Sequence, residues 1–552
     1  MADYFDLGVY QRSITTSSSS ALVWFNRGLV WCYGFNHDEA IRCFQQVIDL
    51  DSGCAMGYWG IAYATGPHYN KTWDQYGEQE RLRVIPFCHE HAQKAKALKQ
   101  QVSAVEQGLI DAMCLKHPVS QISSESDMNQ WMQDYAEAMG LLYQKFPNDQ
   151  DVICLYAEAL MNLTPWKLWN LQKGVPAKNA ATVKAIKVLD YGIKIAQSNS
   201  QKPHPGMIHF YIHAYEMSPT PEVALPAANL LRDLVPDSGH LLHMASHIDG
   251  ICGHWQDAVD ANTRAIAADR LYMEKHGRNG FYMISIVHNY DFKIWACMYL
   301  GLFEKALAAA DSICDLTRDK IIPRDERFLN AALEGYHAKR AHVLIRFGKW
   351  QQICDEDMPD DVQLFQITAI YMVYAKAIAF ATLGNLAAAR EFQQRFRDDY
   401  QKVPDWHQIH NNPTRSVLAV AEAMMDGEVE YHAGNHEVGF EHLRRANKLS
   451  DNLNYSEPWA WMHPPRHALG ALLLEQGQVD EALIHYEDDL GIGNRLPRCV
   501  QHPDNIWALH GYHECLTRLQ REKDAASIKP KMDQLIRNAD VTISSSCLCR
   551  KN

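Results

Sequence analysis

Two short histidine pairs are the residues best suited to chemistry: His209-Phe-Tyr-Ile-His213 and His243-Met-Ala-Ser-His247. In each pair the imidazoles are four residues apart, so on a helix they share one face, a turn apart. The pairs also repeat each other. His243 follows His209 by 34 residues, and His247 follows His213 by the same step. That period is the length of one helix–turn–helix repeat, so the four imidazoles are expected at equivalent places on neighbouring repeats. Neutral imidazole is a good metal ligand and a poor anchor for anions. With no cysteine in the set, the pattern suits a divalent transition metal (iron, copper, zinc or manganese) rather than a thiolate-type structural zinc.

Other residues fall in with this set when the chain is phased on alanines 224, 258 and 306, which recur at one repeat position. Asp291 then shares the position of His209 and His243. His240 and His288 sit just ahead on the same helix face, and Glu216 is a turn beyond His213. Asp291 or Glu216 is expected to complete the metal shell, with Glu158 or His288 handling protons. Glu158 and Asn162 share helical spacing on a preceding helix, which equally fits an inter-helix hydrogen-bond pair. Gly66-Pro67 stops a helix, so His68, Tyr69 and Asn70 lie on a loop. With Trp166 and Trp169 of a second loop they are candidates for a lid over a substrate, or for plain packing. Further on, Arg466 and His467 open a clear repeat, and Arg466 is placed to meet a substrate carboxylate.

The elements that must position these groups are helices. Taking Ala40 as anchor starts a first repeat at Ala21, with Trp24, Gly28 and Phe44 at the large, small and helix-packing positions. Repeats recur to about residue 543, roughly eleven in all. No strand-rich block or dinucleotide-binding glycine loop interrupts them. The expected architecture is an all-α, superhelical solenoid with a concave channel over 21–543 and the metal site within 151–300. A flexible Ser/Thr-rich arm (1–20) precedes it, and a tail (544–552) without a role follows. The apolar stretch 367–389 reads as a repeat rather than a membrane span, given its Gly384 turn.

Composition narrows the function classes. The 552 residues are 47% hydrophobic and 22% charged, as in a folded soluble protein. A formal charge of −13 leaves no basic footprint, which excludes nucleic acid and disfavours an anionic membrane surface. Fourteen scattered cysteines and no secretory leader make a reduced, cytoplasmic setting the expectation.

The repeats resemble the tetratricopeptide superfamily over nearly all of 21–540. More narrowly, four phrases look like those of a bacterial and fungal tetratricopeptide-38-like group. They are Gly34-Phe-Asn-His37 with Glu39-Ala40, Gly66-Pro67-His68-Tyr69-Asn70, Tyr211-Ile-His213 with Glu216, and His243-Met-Ala-Ser-His247-Ile248. The chain departs from that group at Ala245, His68 and Asp291, where proline, asparagine and histidine are usual. The superfamily resemblance implies that the four imidazoles and Asp291 line the inner surface of the repeats. It adds little on activity, because fold does not fix function. Two readings follow: a metal-dependent enzyme acting on a small organic substrate by redox, oxygen or hydrolytic chemistry, or a scaffold that grips a peptide or partner protein.

Overall fold

A computed structural model describes residues 4–121, 123–278, 280–318 and 327–550. The protein is all-α and built of successive helix pairs. Among the described residues, twelve helix pairs follow one another, from Ser19–Tyr33 with His37–Leu50 to Ile506–Arg518 with Glu522–Asn538. Among the described residues, strands are confined to two two-residue antiparallel ladders, Trp169–Asn170 with Val175–Pro176 and Gln408–Ile409 with Asn412–Pro413.

The first pair shows why these residues make this unit. Ser18 caps the first helix by accepting from the Ala21 amide, and Asn36 caps the second by accepting from Glu39. Phe44 is fully buried between two glycines. A Cβ at Gly28 would lie 2.7 Å from the Phe44 ring, and one at Gly60 would lie 2.5 Å from it. The ring thus sits where two helix backbones approach it directly, which no residue with a side chain would permit.

One pair, Ala104–Lys116 with Glu125–Lys145, was not expected from the repeat phasing. Its linker, 117–124, carries the second helix out of the 34-residue register. Local signals define it instead, namely reciprocal capping boxes at Ser103/Glu106 and Ser124/Asp127. Gly108 packs directly against Leu142.

The chain divides into two compact units. Unit 1 is Met1–Ile248 with Arg264–Ile286, and unit 2 is Asp249–Thr263 with Val287–Asn552.

In unit 1 the N-terminal arm, expected to be flexible, is tied down. Phe5 and Leu7 are buried. Tyr10 donates to Asp151 at 2.6 Å, and Arg12 reaches both Asp149 and Asp151 at 2.7 Å. Asp151 is a buried carboxylate that also accepts from Tyr33 and faces His204, and Arg12 supplies the cation that such a charge requires. The Ser/Thr run is likewise in use. Thr16 and Ser17 donate to Asp51, and Ser18 is the helix cap.

In unit 2 the C-terminal tail also has a structural part, contrary to expectation. The Ser546 carbonyl accepts from Arg346, and its hydroxyl pairs with Tyr486 at 2.5 Å. The apolar stretch forms the helix Gln366–Thr382, and among the described residues no helix is long and apolar enough to cross a membrane. The described cysteines are free except Cys547, which is bonded to Cys549.

Candidate metal centre

His209 and His213 stand on Pro205–Tyr215, a helix buried along nearly its whole length. His204 caps that helix by accepting from the Met207 amide, and Pro205 takes the first helical position, where no donor is lost. His240 and His243 stand on Gly239–His243, and His247 on Ala245–Cys252. Glu216 closes the Pro205–Tyr215 helix at its C-cap. The spacing in sequence therefore becomes a single cluster in unit 1.

Hydrogen bonds fix the tautomers. The Glu216 carboxylate accepts from His213 Nδ1 at 3.0 Å and from His247 Nδ1 at 2.8 Å. His209 Nδ1 lies 2.6 Å from the Tyr33 carbonyl. A carboxylate and a carbonyl can only accept, so all three Nδ1 atoms carry the proton and all three Nε2 atoms present a lone pair. Carboxylate or carbonyl behind the distal ring nitrogen is the arrangement that orients metal-binding histidines. Glu216, expected as a possible ligand, has both carboxylate oxygens turned to Nδ1 protons, so its part here is to orient His213 and His247.

Ligand atoms of His209, His213 and His240 all lie within 4.8 Å of one another. His240 Nε2 is 3.1 Å from His209 Nε2, close to the roughly 3.3 Å separating two nitrogens bound tetrahedrally to one metal at about 2.0–2.1 Å. His213 Nε2 and His240 Nδ1 are buried with no hydrogen-bond partner among the described residues. Each such orphan costs about 1–3 kcal/mol, and a cation bound at His213 Nε2 offsets the cost there. His243 and His247 meet Nε2 to Nε2 at 2.6 Å, the length of an N–H···N bond, with His243 donating because the His247 proton is held at Nδ1.

Electrostatics keep three of the imidazoles neutral. Burial, followed by the neighbouring imidazoles, holds His209, His213 and His240 well below the usual imidazole pKa. The three rings are thus neutral at neutral pH, the state that a metal-binding imidazole requires.

Aromatic side chains enclose the cluster. Phe35 has a left-handed backbone (φ 55°), an outlier for a bulky residue. Its ring centroid is 4.5 Å from His209, 5.2 Å from His240 and 5.9 Å from His213. Trp166 is also left-handed (φ 59°). Tyr69 and Trp166 pack on the His213 ring at 4.9 and 5.6 Å, and the Trp166 amide donates to the Tyr69 hydroxyl. Trp169 donates to the Ala214 carbonyl at 2.8 Å. Both loops singled out in the sequence therefore cover the histidine helix. His68 lies beyond Phe35, stacked on His37 at 3.9 Å. The Asn70 amide folds back onto His68 Nδ1.

Glu158 and Asn162 are placed differently. Glu158 accepts from Tyr63 of the helix Ala55–Thr65 at 2.5 Å and from Asn162, the C-cap of its own helix, at 3.3 Å, so both residues are engaged in buried hydrogen bonds. Asp291 and His288 stand on Met283–Leu300 and belong to unit 2. There the Asp291 carboxylate is 3.7 Å from His410 and 3.9 Å from Lys339, and burial raises its pKa to about 6. The His288 ring lies 6.3 Å from Tyr336. Arg466, also in unit 2, is engaged by Asp451 at 2.5 Å and Asp489 at 3.7 Å, and His467 bonds Asp489 at 2.7 Å. The guanidinium that was expected to await a substrate acid already holds two carboxylates.

Sequence reasoning missed Phe35, His37 and the Tyr33 carbonyl. A helix-ending Gly34 next to an aromatic residue was the available signal, because a large residue just past a helix end must either strain or turn inward.

Comparison with known proteins adds nothing to the site. No family model matches the chain, and no curated protein matches it. Among solved structures, yeast Tom70 is similar over 93% of this chain and 99% of its own, at 12% identity and a TM-score of 0.30. Naa15/Naa10 bound to HypK-THB is similar over 94% and 70%, at 11% identity and a TM-score of 0.22.

Proposed function

We propose that unit 1 binds a divalent transition metal at the Nε2 atoms of His209, His213 and His240, with His247 and His243 adjoining and Glu216 orienting. The observation that carries this reading is that Glu216 and the Tyr33 carbonyl hold the Nδ1 protons of His213 and His209, which turns their two Nε2 lone pairs toward the cluster. Nitrogen donors of this kind suit zinc, copper or iron, with manganese less favoured. Three protein ligands leave a position open for water, oxygen or a substrate atom. The protein then acts as a metal-dependent enzyme on a small organic substrate, in a cytoplasmic setting. Tyr69 and Trp166 exclude bulk water from beside His213. The narrower kinship with the tetratricopeptide-38-like group is part of this proposal and rests on the quoted phrases.

A second reading, a peptide- or protein-binding scaffold, is favoured by the repeat type itself. It is further favoured by an open hollow in unit 1 lined by Tyr4, Phe5, Trp24, Arg42 and Lys275. The imidazoles do not serve that role, because His209, His213 and His243 are 0% exposed and cannot meet a peptide.

Elemental analysis of purified protein separates the two. The metal reading expects about one equivalent, lost in the His209→Ala/His213→Ala double variant. Metal-free protein after supplementation with zinc, copper, iron and manganese leaves the scaffold.

A further inference from the structure

Unit 2 contains a second group of buried polar side chains with no evident internal use. His342 is 1% exposed, and neither ring nitrogen has a hydrogen-bond partner among the described residues. Its ring centroid lies 4.8 Å from Trp461, 5.1 Å from Tyr371 and 5.2 Å from His463. Tyr374 is in turn 5.4 Å from Trp461. Trp461 Nε1, His463 Nε2, the Tyr374 hydroxyl, Glu428 Oε2 and Arg346 Nε share the same condition, buried and unpartnered among the described residues. They come from the helices Lys339–Arg346, Gln366–Thr382 and Thr414–His432 and from the segment leading into Pro465–Glu475.

Arg346 is held in place by its other nitrogens. Nη1 meets His467 Nδ1 at 3.0 Å, Nη2 donates to the Ser546 carbonyl, and the guanidinium lies 3.9 Å over the Trp507 ring. His467 passes the contact on to Asp489, which also accepts from His502 and Asn505. This network fixes the direction in which Arg346 Nε–H points.

The open atoms are mostly donors. Arg346 Nε and Trp461 Nε1 can only donate, and a neutral imidazole offers one donor and one acceptor. Burial keeps His342 and His463 neutral and raises Glu428 to about 8, so its carboxyl carries a proton at neutral pH and joins the donors. One unsatisfied buried polar group is tolerable. Several around one aromatic wall demand a reason, because each costs about 1–3 kcal/mol.

We infer that this cluster is a binding site for a small organic carboxylate. The ligand's oxygens accept from Arg346 Nε, Trp461 Nε1, the Tyr374 hydroxyl and the N–H of His342, and its carbon skeleton lies against Trp461 and Tyr371. An inorganic anion leaves that aromatic wall unused, and a neutral apolar molecule leaves the donors unmet. The site is independent of the metal centre.

The test uses the full chain, with calorimetry and thermal unfolding against acetate, benzoate and phenylpyruvate, and with benzyl alcohol and sulfate as controls. Two variants accompany it. His342→Phe removes two unpartnered nitrogens and keeps a ring, and Trp461→Phe removes the indole N–H. At least one carboxylate is expected to bind and raise Tm where the controls do not. Both variants are expected to bind it at least about tenfold more weakly, as loss of a hydrogen bond to a charged group implies. Their ligand-free Tm is expected to stay level or rise, because an unmet polar atom has been removed. Three results overturn the inference: no carboxylate binds, binding survives both variants, or His342→Phe alone lowers the ligand-free Tm by several degrees, which would make the group an internal structural network.

Discussion

Glu216→Gln tests the metal centre where its logic is most exposed. The carboxylate accepts Nδ1 protons from two imidazoles, His213 at 3.0 Å and His247 at 2.8 Å. An amide has one accepting oxygen and one donating nitrogen. The oxygen that both imidazoles reach, at 2.8 Å from His247 and 3.1 Å from His213, can keep both bonds, but the amide nitrogen then replaces the oxygen 3.0 Å from His213 Nδ1. His213 faces that N–H with its own N–H, and relieving the clash moves its proton to Nε2, the atom needed for the metal. The bonds that survive also lose their charge assistance. Loss of such an orienting group costs about 10–100-fold in metal affinity, or about 1.4–2.7 kcal/mol. The assay is competition for zinc or copper against a chromophoric chelator, with circular dichroism of the metal-free variant to check the fold. Glu216→Asp keeps the charge and should lose less than Glu216→Gln. A folded Glu216→Gln variant that binds metal as tightly as the parent refutes the reasoning, because the Nδ1 bonds would then not be setting the ligand atoms.

Four further predictions follow from the same geometry. Metal-free stability should fall as pH drops below about 6.5. The unfolded chain's imidazoles take protons there while buried His209, His213 and His240, with depressed pKa values, stay neutral. The slope is up to about 1.4 kcal/mol per pH unit for each imidazole, and urea unfolding from pH 7 to 5 checks it; a flat profile would contradict the depressed values. Gly28→Ala puts a Cβ 2.7 Å from the Phe44 ring and should destabilise by about 1–3 kcal/mol, with Phe44→Leu partly restoring Tm. Arg12→Met leaves the buried Asp151 carboxylate without its cation and should cost about 3–5 kcal/mol, whereas a free arm would make it silent. Tyr69→Ala uncovers the His213 ring and should speed metal extraction by a chelator without changing the bound stoichiometry, as stopped-flow would show.

How much of this was readable in the sequence depended on which interactions are periodic. The His209/His243 and His213/His247 pairs share a 34-residue step, so their convergence could be read before any coordinates. Repeat phasing also supplied the all-α class, because Gly28 and Phe44 carry a packing rule that holds wherever two helices pair. Non-periodic groups were harder. Phe35 lies in a turn, and its place among three imidazoles depends on a left-handed backbone that no propensity predicts. Arg12 looked like part of a solvated Ser/Thr arm, because the carboxylates that capture it lie more than a hundred residues away, at Asp149 and Asp151. Position on the repeat promised Asp291 in line with His209 and His243. Its recorded neighbours are instead Lys339 and His410, contributed by later segments that phasing could not bring to it. Glu216 was legible as a residue but not in its role, which depends on which imidazole nitrogen it meets.

The central claim is that the imidazole Nε2 atoms of unit 1 hold a metal. X-ray absorption at the edge of the metal that copurifies or reconstitutes with the protein tests it most directly. The account predicts a first shell of at least three imidazole nitrogens at about 2 Å, with His209→Ala and His213→Ala each removing one. A shell of oxygens alone, or a spectrum unchanged by both substitutions, would contradict it.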